Sequence, residues 1–149
     1  MVPGPLAGHD DSNYAECEDF MAKSIMIVDH SAPSRRTLRN LLTQNGEWVI
    51  SAEAVDGNDA IEKARHLHLD FIVLDFCMPH MDGLETAHKL KNICPTTSIV
   101  MLTTFNDRIL EEKAYKAGIS WVLSKDDSHK IIDFARILLL TDRYPALTS

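Results

Sequence analysis

Two aspartates, a threonine and a lysine stand at the ends of four short apolar runs in this chain of 149 residues: Asp29 after SIMIV, Asp75 after FIVL, Thr103 after SIVML and Lys125 after ISWVLS. These types suit phosphorus chemistry. A hard divalent cation such as magnesium takes oxygen ligands, binding through one or two carboxylates while keeping waters and phosphate oxygens around it, and Asp29 with Asp75 can serve it so. A carboxylate attacks phosphorus to give an aspartyl phosphate once metal and cation neutralise the charge developing on the transferred group, and Lys125 supplies such a cation. Thr103 can donate its hydroxyl to a phosphoryl oxygen, which lets the chain register that the phosphate has arrived. In isolation each residue has a blander reading as a turn former, a satisfied strand-end hydroxyl or a solvated lysine. Only the joint pattern raises them.

That pattern needs elements to bring the four together. From Lys23 onward, short β-type runs alternate with amphipathic helical stretches, the signature of a βα repeat and a parallel sheet. Strands are predicted over 24–29, 48–55, 71–75, 98–102 and 119–123, the first nearly unbroken in apolar character, as a strand buried on both faces should be. Helices are predicted over 32–44, 57–68, 83–92, 107–117 and 128–140. Ser31 caps the first, which carries Leu38, Leu41 and Leu42 on one face and ends at Asn45-Gly46. Ala60, Ile61, Ala64 and Leu67 form the core-facing stripe of the second. Asp82-Gly83 opens the third, Pro95 stops it, and Gly118 ends the fourth. The count implies one α/β domain, a doubly wound five-stranded parallel sheet of the flavodoxin-like order 2-1-3-4-5. In such a sheet ligands bind outside the carboxyl ends of the strands, where the four residues would converge.

Composition agrees with one globular domain: 45% of residues are hydrophobic and 25% charged. The apolar runs fall far short of the ~20 residues of a membrane span. Residues 1–22 hold two prolines, two glycines and an acidic cluster without an apolar period, and are expected to be a mobile leader. That leader lacks the basic and apolar regions of a secretory signal, so a cytoplasmic location is expected. Cys17, Cys77 and Cys94 have no metal-type spacing and read as free thiols. A formal charge of -7 argues against direct nucleic-acid binding and favours protein partners.

The stretches IMIVDHS, DFIVLDFCMPHMDGLE, IVMLTTFND and KAGISWVLSKD resemble the response-regulator receiver domain of two-component signalling, over residues 24–140. The segment LDxxMPxMDG is the most specific of them. The resemblance implies a chemotaxis-regulator-like fold over residues 23–141, with Asp75 as phosphoacceptor, Asp29 as a magnesium ligand, Cys77 as another through its backbone carbonyl, Thr103 as switch hydroxyl and Lys125 as the phosphate-pairing lysine. It implies a histidine kinase or related phosphodonor as partner, and a signalling role in which catalysis is confined to the domain's own phosphotransfer and dephosphorylation. Relatives are often followed by a helix-turn-helix DNA-binding domain. The residues 142–149, TDRYPALTS with its first residue at 141, then read as a tail or the start of a linker, so DNA contact would belong to an output domain outside this chain. Homodimerisation through the helix faces is a further expectation.

Two positions depart from the family pattern. His30 stands where a second acid usually follows Asp29, and imidazole is a softer ligand that suits magnesium poorly. His30 therefore either stays off the metal or shifts its preference toward a transition metal, with weaker magnesium binding in either case. Val122 stands three residues before Lys125, where the family usually has the aromatic that swings inward with the threonine. Trp121 lies on the opposite strand face and does not replace it. These departures support a second reading, a pseudo-receiver that works as a phosphorylation-independent interaction module. A phosphohydrolase with an aspartyl nucleophile would need a second acid near Asp75, and Phe76 and Cys77 offer none. His66 and His68 are two apart on a predicted helix, so they project from different faces and are assigned no site; His80, His88 and His129 lack partners at ligand spacing and read as surface residues, while Trp48 and Trp121 read as packing.

Overall fold

A computed structural model of the chain describes residues 23–44 and 48–143, with side chains through residue 138. The expected leader, Cys17, the Asn45-Gly46 turn and residues 144–149 lie outside that range. In chain order the elements are β1 (Lys23–Val28), α1 (Ala32–Thr43), β2 (Trp48–Ala54), α2 (Gly57–Ala64), β3 (Phe71–Asp75), α3 (Gly83–Ile93), β4 (Ser98–Thr103), α4 (Arg108–Lys116), β5 (Trp121–Ser124), a 3-10 turn (Lys125–Lys130) and α5 (Ile131–Arg143). All strand pairs are parallel, in the order β2-β1-β3-β4-β5. This is the flavodoxin-like order expected from the βα count.

Alternation along the strands divides the core in two. Met26, Val28, Ile72, Leu74, Ile99, Met101 and Val122 face one side, packed with Ala60 and Ala64 of α2, Ala87 and Leu90 of α3 and Ala114 of α4. Ile25, Ile27, Phe71, Val73, Val100, Leu102 and Leu123 face the other, against Leu38 and Leu42 of α1 and Ile131 and Ala135 of α5. A strand buried on both faces has no polar side to spend, which is why β3 is buried from end to end. Trp121 packs with the second cluster, its ring tilted against Phe134 at a centroid distance of 4.3 Å, while Val122 belongs to the first. The two residues do point to opposite faces.

Capping follows the sequence closely. Ser31, Asp56, Asp82 and Asp107 each accept a backbone N–H from the first turn of the helix they precede. Gly118 has φ +98, a left-handed conformation that a side chain would strain, and ends α4 as expected.

Four expected boundaries need correction. Helix α2 stops at Ala64, four residues before the predicted end at 68, so Leu67 lies in the following turn and is 38% exposed instead of extending the core stripe. The last helix begins at Ile131, because Lys125–Lys130 form a 3-10 turn in which Asp127 departs from helical dihedrals. It also runs to Arg143, so residues 142 and 143, expected in the tail, are helical. Strand β5 starts two residues late, since Ile119 and Ser120 complete the turn after α4, where Ile119 N–H bonds Ala114 O.

Candidate functional site

The polar strand ends meet at the carboxyl edge of the sheet. Asp29 follows β1, its N–H donating to Ala54 O at 3.0 Å. Its carboxylate Oδ1 accepts from Ser31 N at 2.9 Å, which leads the chain into α1, and Arg35 reaches back from α1 to its carbonyl at 2.7 Å. Arg35 is itself held by Glu53 at 3.2 Å, as is Arg39 at 2.6 Å. Burial pushes the Glu53 carboxyl up, but the two guanidinium groups outweigh it and hold it below its usual value.

Asp75 closes β3 and is placed by the loop after it. Phe76 N bonds Leu102 O at 2.9 Å, and Gly83 N bonds Phe76 O at 2.8 Å. A Cβ on Gly83 would sit 2.8 Å from Asp75 O and from Phe76 Cα, so α3 starts this close to the acid only because residue 83 has no side chain. Within the loop, His80 has φ 70, an uncommon conformation for a residue with a side chain.

Asp29 and Asp75 are buried, at 1% and 2% exposure. Lys125 Nζ lies 3.1 Å from Asp75 Oδ1 and 3.7 Å from Asp29 Oδ2. On the other oxygens, His30 Nδ1 lies 3.8 Å from Asp75 Oδ2 and 3.9 Å from Asp29 Oδ1, its side chain 53% exposed. Cys77 N donates to Asp75 Oδ1 at 3.3 Å. Among the described residues, Asp75 Oδ2 is buried without a hydrogen-bond partner. Burial first, and the neighbouring Asp29 charge second, raise the Asp75 carboxyl above its usual value against the pull of Lys125. Burial lowers Lys125, but its bonds to Asp75 and Asp29 outweigh that and leave it raised.

Thr103 is buried, and its hydroxyl stands between both backbone groups of Phe105, accepting from the N–H at 3.1 Å and lying 3.2 Å from the carbonyl as donor. The Phe105 ring is 80% exposed. Val122 is 6% exposed within the core cluster, one strand away from Thr103.

The structure thus brings Asp29, His30, Asp75 and Lys125 together and puts Thr103 at the same edge, as the strand ends predicted. Cys77 reaches Asp75 through its N–H, and its thiol is free. Arg35 and Glu53 had not been singled out. Glu53 lies near the end of β2 and could have been found by the same inspection of strand ends; Arg35 carries no such signal, since only the fold turns it back on Asp29.

Two carboxylates and an unpartnered buried oxygen suit a divalent cation. The third donor in reach is the His30 imidazole, and ligand atoms of Asp29, His30 and Asp75 all lie within 4.8 Å of one another.

Comparison with known proteins agrees with this fold. The family model described as the response regulator receiver domain matches residues 25–136. The chain is 31% identical to the chemotaxis protein CheY of Thermotoga maritima over 98 residues, 66% of this chain and 81% of that protein. It is 36% identical to the transcriptional regulatory protein LnrK of Bacillus subtilis over 104 residues, 70% of this chain and 47% of that one. Among solved structures, the chemotaxis protein CheY4 of Vibrio cholerae superposes with a TM-score of 0.71 at 26% identity, covering 79% of this chain and 98% of that chain. A LuxR-family two-component response regulator from Aurantimonas gives a TM-score of 0.74 at 25% identity, covering 79% and 86%.

Proposed function

Because this chain belongs to the response regulator receiver domain family, we propose that it is a signalling switch in which Asp75 accepts a phosphoryl group from a histidine kinase and Thr103 registers its arrival. The observation that carries the reading is the Asp75 carboxylate itself, buried, with Oδ2 unpartnered and Oδ1 held 3.1 Å from Lys125. An oxygen with no hydrogen bond to give up is ready to act as a nucleophile toward phosphorus. Lys125 is placed beside two buried acids to neutralise charge on the incoming group. Receiver domains generally bind magnesium. Here Asp29, Asp75 and the Cys77 carbonyl would hold a divalent cation, which would supply further neutralisation of phosphoryl charge.

Thr103 gives the readout. Its hydroxyl holds the Phe105 backbone at two points, so turning it toward a phosphoryl oxygen releases both contacts and frees the loop before α4. Movement there would alter binding to a partner or to an output domain. Relatives such as LnrK are transcriptional regulators, and any DNA contact is assigned to such an attached domain. Among the described residues no helix is long and apolar enough to cross a membrane.

Incubation with acetyl phosphate or beryllofluoride in magnesium tests the proposal. With acetyl phosphate one phosphoryl group should appear by mass on the wild type and none on Asp75→Ala, a variant whose far-UV circular dichroism should match the wild type, and beryllofluoride should change the spectrum of the wild type alone. Absence of both mass gain and spectral change in the wild type would favour the pseudo-receiver. The specific observation behind that second reading is Val122, packed in the core where the family usually keeps a movable aromatic.

A further inference from the structure

We infer that the acidic pocket takes a first-row transition-metal dication, with His30 as a nitrogen ligand beside Asp29 and Asp75, in preference to magnesium. The inference rests on the reading of Asp75 as the acceptor site and adds the class of metal that serves it.

The position of His30 is built. The chain either side of it is tied down by Asp29 N–H on Ala54 O, by Ser31 N–H on Asp29 Oδ1 at 2.9 Å, and by Arg35 on Asp29 O at 2.7 Å. That loop presents Nδ1 to one oxygen of each buried acid, 3.9 Å from Asp29 and 3.8 Å from Asp75. Ligand atoms each about 2.1 Å from one ion can stand up to about 4.2 Å apart. Both separations fall inside that limit, and the exposed imidazole has room to turn. Lys125 occupies the opposite oxygens, Asp75 Oδ1 and Asp29 Oδ2, so it does not block this side.

The second observation is the bare Asp75 Oδ2, on an acid that is 2% exposed. It is the atom His30 faces, and a ligand is what it lacks. Magnesium asks for near-ideal octahedral oxygen coordination. Imidazole suits zinc, iron, nickel and copper, and for nitrogen donors affinity climbs along the first row. Replacing an acid with His30 removes a hard oxygen and one negative charge, both of which favour magnesium, and adds a donor that magnesium uses poorly.

Titration calorimetry with cobalt(II), zinc(II) and magnesium, each alone, tests the assignment on wild type, His30→Asp and Asp75→Asn. Cobalt(II) also reports its ligands through its visible spectrum. Wild type should bind cobalt(II) more tightly than magnesium. His30→Asp should lower the cobalt-to-magnesium affinity ratio by about tenfold or more and shift the visible bands. Asp75→Asn should weaken cobalt(II) while leaving the surface histidines in place. An unchanged ratio in His30→Asp, or cobalt(II) binding that survives Asp75→Asn intact, overturns the inference. Phosphoryl uptake separates the two claims: uptake with an unchanged ratio overturns the metal assignment alone, whereas a shifted ratio with no uptake under any metal overturns Asp75 as acceptor.

Discussion

At the amino edge of the sheet Asp70 accepts from Ser24 N at 2.8 Å, Thr97 donates to Leu69 O at 2.7 Å, and Lys91 donates to the Pro95 and Thr97 carbonyls at 2.9 and 2.8 Å. At the carboxyl edge Asp29 and Asp75 share one lysine, and an oxygen of Asp75 is left bare. The residue types are alike at the two edges, an acid, a threonine and a lysine. At one edge they close the loops by bonding backbone; at the other, two buried acids lie on one shared lysine. The first arrangement stabilises the fold, and the second carries an electrostatic cost that the fold must offset elsewhere.

Removing an acid should therefore have opposite effects at the two edges. Asp70→Ala deletes a charge-assisted bond and leaves Ser24 N–H to find water, and should destabilise the domain by about 2 kcal/mol, seen as a lower urea midpoint with an unchanged slope. A midpoint equal to wild type would show that the amino edge is not the structural one.

Much of this division was readable in advance. A βα repeat sends every strand end to the same side, so Asp29, Asp75, Thr103 and Lys125 were placed by periodicity alone. The family resemblance supplied their roles, and the match over residues 25–136 bears out the family. The partners of those residues were not readable. Arg35 on Asp29 O, Gly83 against Asp75 O and His30 facing both acids depend on how separate segments pack, and no local pattern encodes them. The 3-10 turn after Lys125 was missed for a similar reason: KDDSHK has the composition of a helix start, and Ser124 does cap it, through Asp126 N, but the chain kinks at Asp127 before α5 can begin.

The second effect is smaller and of opposite sign. Burial and then Asp29 raise the Asp75 carboxyl, so the folded state holds that proton more firmly than the unfolded chain. Stability linked to Asp75 is thus present below the ordinary carboxylate value of 3.8 and is lost as pH rises through the folded value. At neutral pH the charge is a burden. Asp75→Asn should raise Tm by about 3 °C at pH 7, with the gain shrinking as pH falls toward that of ordinary carboxylates. Calorimetric scans across pH would check it, and a lower Tm would mean that the ion pair with Lys125 outweighs burial and repulsion.

The smallest expected effect contrasts the two lysines. Burial lowers Lys91 from its usual 10.5, whereas the bonds to Asp75 and Asp29 raise Lys125 from the same value. Between its folded value and 10.5, Lys91 binds fewer protons in the folded state than in the unfolded one, so its contribution to stability rises with pH. Lys125 holds its proton longer when folded, so its contribution is complete below 10.5 and falls as pH rises through the folded value. Urea midpoints measured for Lys91→Met and Lys125→Met against wild type, at intervals through the alkaline range, should therefore drift in opposite directions. The Lys91→Met difference should decline below 10.5, and the Lys125→Met difference should climb above it. Drifts of the same sign would mean that the lysine at the carboxyl edge is held no more tightly by its acids than Lys91 is by two carbonyls, and the electrostatic contrast between the edges would then rest on Asp75 alone.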